Sequence, residues 1–319
     1  MSTTIYDAIV VGAGASGLTA AYEMIRNGLN IRLLEANIEI GGRMKKTDTF
    51  ASFPLDLGAS WIHGYPSQIL SSIVNDPSVS INLNNIIEYV PEYYDWWGPD
   101  KKWYSETYEP ECGNLDSSFL DYTWFDFFKD YIAPVSHSSL QLGCVVNQID
   151  SRNSQYVKVS CKDGRQFRAK NVVVTASIAV LKRGDIKFAP SLPSYKTTAI
   201  QKVRMDPGMM VYFKFSHKFY YDAFEIYKTR SDAKRDGTLF FYDAAYGEDT
   251  SDNILGVLMN SEWAEGYVSL SDVAIKDQLL SELNEFFQGQ ATLLYLDHKI
   301  MNWSKEPFIG GVFSNHDYS

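Results

Sequence analysis

Cysteine is scarce in this sequence. Cys112, Cys144 and Cys161 are the only three in 319 residues, and no two of them stand as C-x-x-C. Such spacing suggests neither a zinc site nor a disulfide framework, so no metal is expected and a reducing compartment is the default. Long apolar runs are missing as well, and none approaches the roughly 18 residues that a membrane span needs. The opening MSTTIYDAIVV lacks a basic region and a small-residue cleavage site. No secretory leader is read there, and a cytoplasmic protein is expected. Positive charge is in short supply: 29 Lys and Arg against 39 Asp and Glu leave a formal net charge of -10. Nucleic acid is a poor partner for such a surface, whereas a cationic ligand would be drawn to it. The rest is an ordinary globular composition, 45% hydrophobic, in a chain long enough for two domains.

The clearest pattern runs from Ile9 to Ala36. A β-branched run stops at Gly12, an amphipathic stretch with Leu18, Ala21, Tyr22, Met24 and Ile25 ends at Asn27-Gly28, and a second apolar run delivers Glu35. That is one βαβ unit of about thirty residues. In the G-x-G-x-x-G spacing, Gly12 makes the turn, Gly14 lets the backbone approach a pyrophosphate, and Gly17 lets helix and strand pack closely. The helix N-terminus faces the anion, and Glu35 would accept hydrogen bonds from the adenosine ribose. An acid at that position argues against a 2′-phosphate, hence against NADP. NAD and FAD are not separated by this stretch alone.

Two further segments bear on that choice. Gly41-Gly42-Arg43 follows closely after Glu35, and DLGASWIHGYP spans Asp56 to Pro66. With these the chain resembles the flavin-containing amine oxidase family of monoamine oxidases, polyamine oxidases and histone-demethylating relatives. The resemblance implies FAD as cofactor. It places Gly12, Gly14, Ala15, Ser16, Gly17, Glu35 and Ala36 about the dinucleotide, Gly42 and Arg43 over its phosphates, and Gly58, Ala59, Ser60 and Trp61 further along the cofactor. Val146 would meet the adenine through its backbone. A planar arginine fork suits phosphate oxygens, and an NAD dehydrogenase has no need of the second glycine turn. The VLKRG turn, the FAPSLP segment and a helix from near Ser194 resemble the polyamine-oxidase and demethylase branch.

The implied fold class is α/β. A discontinuous Rossmann-like FAD-binding domain (residues 1–65 and 138–192, with 301–319 beginning a C-terminal FAD segment) carries an α+β substrate domain (66–137, shortened, and 193–300). Between 66 and 137 the chain is rich in aromatics. Phe119, Trp124, Phe127, Phe128 and Tyr131 read as one helical stripe suited to a pocket wall. LQLGCVVNQIDS reads as a strand, Lys162-Asp163-Gly164 as a hairpin turn, and Val172 to Thr175 as a buried strand. In the substrate domain, strands are expected at Met209 to Phe215 and around GTLFFYDAA and DNILGVLMN. A helix over 271–287 has Ser271 as N-cap and a stripe of Val273, Ile275, Leu279, Leu280, Leu283 and Phe286.

The resemblance further implies oxidation of a C–N bond by hydride transfer to flavin, with O2 as the final acceptor, H2O2 as a product and an amine as substrate. Polyamines come first and L-amino acids second. His63 falls where animal polyamine oxidases have a pocket histidine and would bind or deprotonate a distal amine. Two departures count against turnover. The family's flavin-side lysine falls on Met210, with Lys214 about 13 Å further along the same strand face, unless Pro207-Gly208 introduces a bulge. The sequence also ends at Ser319, before the family's Gly-Glu-Ala segment that caps the flavin ring. A shortened, inactive relative that binds a partner or small molecule is therefore the alternative.

Overall fold

The computed structural model describes residues 4–62, 86–88, 93–97, 102–107, 117–227 and 238–316. Two compact units emerge: Met1–Lys45 with Phe125–Asp206 and Lys305–Ser319, and Lys46–Trp124 with Pro207–Ser304. His63 and Cys112 lie outside the described residues.

The first unit opens with the expected βαβ: β1 (Ile5–Val11), α1 (Ala15–Arg26) and β2 (Ile31–Leu34). The chain returns to it as β3 (Leu140–Gln141), β4 (Val146–Asp150), β5 (Val157–Cys161), β6 (Gln166–Val174) and β7 (Lys187–Ala189). These form one sheet in the order β7-β4-β5-β6-β1-β2-β3. β1 is flanked on both sides by parallel partners, β6 and β2, which is why it reads as a nearly unbroken apolar run. Beyond β6 the pairing turns antiparallel, through the hairpin at Gly164, whose φ is +90°.

Two expectations fail here for physical reasons. LQLGCVVNQIDS is not one strand: β3 pairs with β2 at one sheet edge while β4 pairs with β5 and β7 near the other. Gly143, at φ +63°, turns the chain between them, and its amide and that of Cys144 donate to the carbonyls of Asn37 and Glu35. Cys144 and Cys161 are joined in a disulfide. A separation of 17 positions hid a pairing that the β4-β5 hairpin creates, with Val146 directly opposite Cys161.

The second unit is built on a mixed sheet. β8 (Gly208–Phe215), β9 (Ala223–Tyr227), β10 (Thr238–Asp243), β11 (Asn253–Asn260) and β12 (Tyr295–Asn302) lie in the order β12-β8-β11-β10-β9. Two further strands, Tyr93–Trp97 and Trp103–Thr107, extend it beyond β9. The joint between β9 and Tyr93–Trp97 is parallel and the others are antiparallel.

Alternation along β8 sorts the two faces. Met209, Val211, Phe213 and Phe215 enter a core with Ile275, Leu279 and Leu283 of α2 (Asp272–Phe286). Met210 and Tyr212 face the other way, onto Phe53, Leu55, Leu57 and Tyr242. Pro207-Gly208 makes no break in register, since β8 pairs residue for residue with β11 from Gly208 to Phe215. α2 starts as expected, with the Ser271 hydroxyl accepting the Ala274 amide at 3.3 Å. Val273 does not join the stripe and is 60% exposed, because it stands two positions, about 200°, from Ile275. Phe119 likewise leaves its predicted helix: it ends a strand, Ser117–Phe119, and helix begins only at Trp124.

Candidate active site

The glycine turns of the first unit form a cradle. Gly12 has φ +105°, and a Cβ on Gly17 would lie 1.8 Å from the Gly12 carbonyl oxygen, so α1 approaches the loop as closely as a backbone can. Thr175, which sequence reasoning overlooked, buttresses the turn by donating its hydroxyl to the Val11 carbonyl at 2.9 Å. The second turn, Gly41 at φ +108° and Gly42 at φ +58°, lies against the first. Gly14 and Gly41 form a parallel bridge, and a Cβ on Gly42 would stand 3.2 Å from the Gly14 Cα. A side chain on Gly42 would press on the Gly14 backbone, and one on Gly41 would meet the Phe125 ring at 3.0 Å.

The electrostatics of the cradle suit an anion. The first amides of α1 have no intrahelical acceptor, and Ala15 and Ser16 at that end are exposed. Arg43 donates to the Val312 carbonyl; it is exposed, yet the protein crowding its guanidinium lowers its pKa by desolvation. It remains a cation at neutral pH. Glu35 is buried, and its carboxylate accepts the Ala13 amide at 2.6 Å and the Asn37 amide at 2.8 Å. Each oxygen keeps a further lone pair for a ribose hydroxyl. Beside Glu35, Ala36 is half-buried, and the turn leading to Val146 is tied to Glu35 through the Cys144 amide at 2.7 Å. A dinucleotide fits this set: glycines where its phosphates need room, donors for the phosphates and an acceptor for the ribose.

Gly58, Ala59, Ser60 and Trp61 belong to the second unit. Trp61 stands edge-on to Tyr242, 5.2 Å between ring centres. Both help to line a cleft of about 490 Å³, counting its open mouth. Seven aromatic side chains line it, Phe53, Trp61, Phe119, Tyr122, Tyr212, Tyr242 and Tyr246, with three carboxylates, Asp56, Asp243 and Glu248. No lysine, arginine or histidine is among its described lining residues.

At the base of the cleft the hydroxyls are ordered. Tyr212 donates to the Asp56 backbone carbonyl at 2.5 Å, and its oxygen lies 3.0 Å from the Tyr242 hydroxyl. Burial pushes the Tyr242 phenol up to about 12 and Tyr212 well above its ordinary value. The Met210 sulfur lies 3.5 Å from the Tyr242 hydroxyl. Lys214 is no substitute, being paired with Asp252 at 2.7 Å. Sequence reasoning assigned no role to Tyr212, Tyr242 or Glu248. The alternation in GTLFFYDAA was the available signal for Tyr242, since it puts every second side chain on the cleft face.

A glycine-turn cradle suited to a dinucleotide in one unit and an aromatic, acidic cleft in the other are the features of a nucleotide-cofactor enzyme. Residues 128–318 match the family described as flavin containing amine oxidoreductase, and residues 10–76 match an NAD(P)-binding Rossmann-like domain. The chain belongs to the flavin-containing amine oxidoreductase family, and its cofactor is FAD.

Among individual relatives, polyamine oxidase 1 of Zea mays is 24% identical over 406 aligned positions, covering 96% of this chain and 80% of that protein. Lysine-specific histone demethylase 1B of Mus musculus is 21% identical, over 96% of this chain and 46% of its own length. The structure of a putrescine oxidase with putrescine bound superposes with a TM-score of 0.79 at 13% identity, covering 98% of this chain and 88% of that one. The 406 positions exceed the 319 residues of this chain, so the maize protein carries interior segments without a counterpart here.

Proposed function

We propose that this chain catalyses FAD-dependent oxidative deamination of amines, with polyamines as the preferred class. The observation that carries the reading is the cleft of the second unit, with three carboxylates, seven aromatic side chains and no basic residue among its described lining. An L-amino acid needs a cation for its carboxylate, whereas an amine needs carboxylates and aromatic faces. Bound FAD would accept a hydride from the carbon next to nitrogen, leaving an imine that water hydrolyses and O2 to regenerate the flavin as H2O2 forms. The protein's part is to hold and orient. The aromatic walls exclude water and favour the uncharged form of the reacting amine, while carboxylates hold whatever charge remains. Gly12, Gly14, Gly17, Gly42, Arg43 and Glu35 would hold the dinucleotide.

Met210 favours a second reading, a relative that binds FAD and amine without turnover. It is only 1% exposed, and its polar neighbour is a phenol of raised pKa rather than an amine. A substrate panel separates the readings. With spermine, N-acetylspermine, putrescine, benzylamine and L-leucine, the first reading expects peroxide from one or more amines and none from L-leucine. Peroxide from L-leucine alone contradicts it, and amine binding without peroxide establishes the second.

A further inference from the structure

The mixed sheet of the second unit ends at β12, and among the described residues β8 is the only strand that pairs with it. Its other side is an open edge. The direction of its backbone groups follows from the two ends of the β8–β12 ladder, where the Gly208 amide donates to the Ser304 hydroxyl at 3.0 Å and the Ser216 amide to the Leu294 carbonyl at 2.9 Å. By alternation Met210, Tyr212 and Lys214 turn their amides and carbonyls toward β12, and the residues opposite them, Met301, Lys299 and Asp297, turn theirs back toward β8. His298 and Ile300 therefore point theirs outward. The His298 amide agrees, since it donates at 2.8 Å to the Asp297 carboxylate of its own strand.

An edge of this length is a template for another strand, and charged side chains ordinarily blunt it. Those on β12 are of opposite sign and two positions apart. Asp297 and Lys299 share the sheet face of Lys214 and Tyr212, and among the described residues neither stands in an ion pair. Between them and the start of the strand, Leu296 is left without a partner on β8 and is 56% exposed. Antiparallel pairing of β12 with its own copy must match residues on the same face, so its two-fold axis passes through a residue. Centred on His298, the outward groups of the two His298 residues bond to each other, and Asp297 of each copy meets Lys299 of the other at a close, non-hydrogen-bonded position. Leu296 then lies opposite Ile300 of the second copy. A shift of the axis to Lys299 would oppose two ammoniums, and a shift to Asp297 two carboxylates.

We propose that this edge is the contact face of a homodimer, in which β12 pairs antiparallel with β12 of a second copy about His298 and two Asp297–Lys299 ion pairs set the register. The two mixed sheets become one continuous sheet. This inference is independent of which amine, if any, the protein oxidises.

The test is sedimentation equilibrium of the FAD-loaded protein over a concentration series. Wild type should form a dimer that dissociates on dilution. Asp297→Lys places lysines opposite lysines and Lys299→Asp places aspartates opposite aspartates, so each variant alone should raise the dimer dissociation constant about tenfold or more. Mixed in equal amounts, the two variants should pair with each other at nearly the wild-type affinity, because every facing pair is again of opposite sign. The double exchange, Asp297→Lys with Lys299→Asp, should dimerise by itself. Neither residue is among the described lining of the cleft, and an unchanged bound-flavin spectrum checks that each variant is folded. A wild type that stays monomeric throughout the series overturns the inference. So does a dimer that either single reversal leaves at full strength, or one that both reversals weaken and their mixture does not restore.

Discussion

Single atoms decide much of this site. Alanine normally improves on glycine in a helix by about 1 kcal/mol, yet a Cβ on Gly17 would lie 1.8 Å from the Gly12 carbonyl oxygen. The clash dominates, so Gly17→Ala should lose about 2 kcal/mol or more and most of its bound flavin, read by chemical denaturation and by the flavin-to-protein absorbance ratio. Tyr242 is held similarly in the second unit: its ring fills the space above Gly256, where a Cβ would meet it at 2.5 Å. The tyrosine pair sets an alkaline limit. The unfolded chain gives up these protons near the ordinary value of 10, while the folded chain keeps that of Tyr242 to about 12. Stability from their burial is therefore complete below pH 10 and is lost as pH rises from 10 towards 12. Tyrosinate absorbance and circular dichroism followed together should show these two phenols ionising only as the fold is lost.

At the scale of elements, the sequence was most legible where periodicity and punctuation agreed. The βαβ unit, the hairpin at Gly164, β8, β10, β11 and α2 could all be read, because each carries a repeating apolar pattern and most are punctuated by a glycine or a capping residue. Ser271→Ala should cost about 1 kcal/mol through the lost cap, and Leu283→Ala about 2–5 kcal/mol through a cavity in the core under α2, both measurable as shifts in denaturation midpoint. Legibility failed where long-range pairing overrode local pattern. LQLGCVVNQIDS looks like one strand until Gly143 turns it, and its halves then join opposite parts of the sheet. Phe119 matches a helical stripe by count, yet strand pairing with Ile86–Glu88 claims it. The glycine turns of the first unit were legible because their spacing is local. Glu248 was not, because only the fold brings Asp121 and Glu248 together across 127 positions.

At the scale of the whole molecule, the disulfide and the family assignment carry the remaining consequences. Unfolded without reductant, the protein should expose one titratable thiol, that of Cys112, and three after reduction. Three thiols without reductant would contradict the Cys144–Cys161 bond. The family assignment makes the chain a flavoprotein oxidoreductase, and the central claim is that this chain itself oxidises amines. The most direct measurement is the visible spectrum of the FAD-loaded protein without oxygen, before and after addition of spermine, N-acetylspermine or putrescine. The account predicts that one of these bleaches the oxidised flavin band and that air restores it. A flavin band unchanged by every amine, in a protein that binds them, would contradict it.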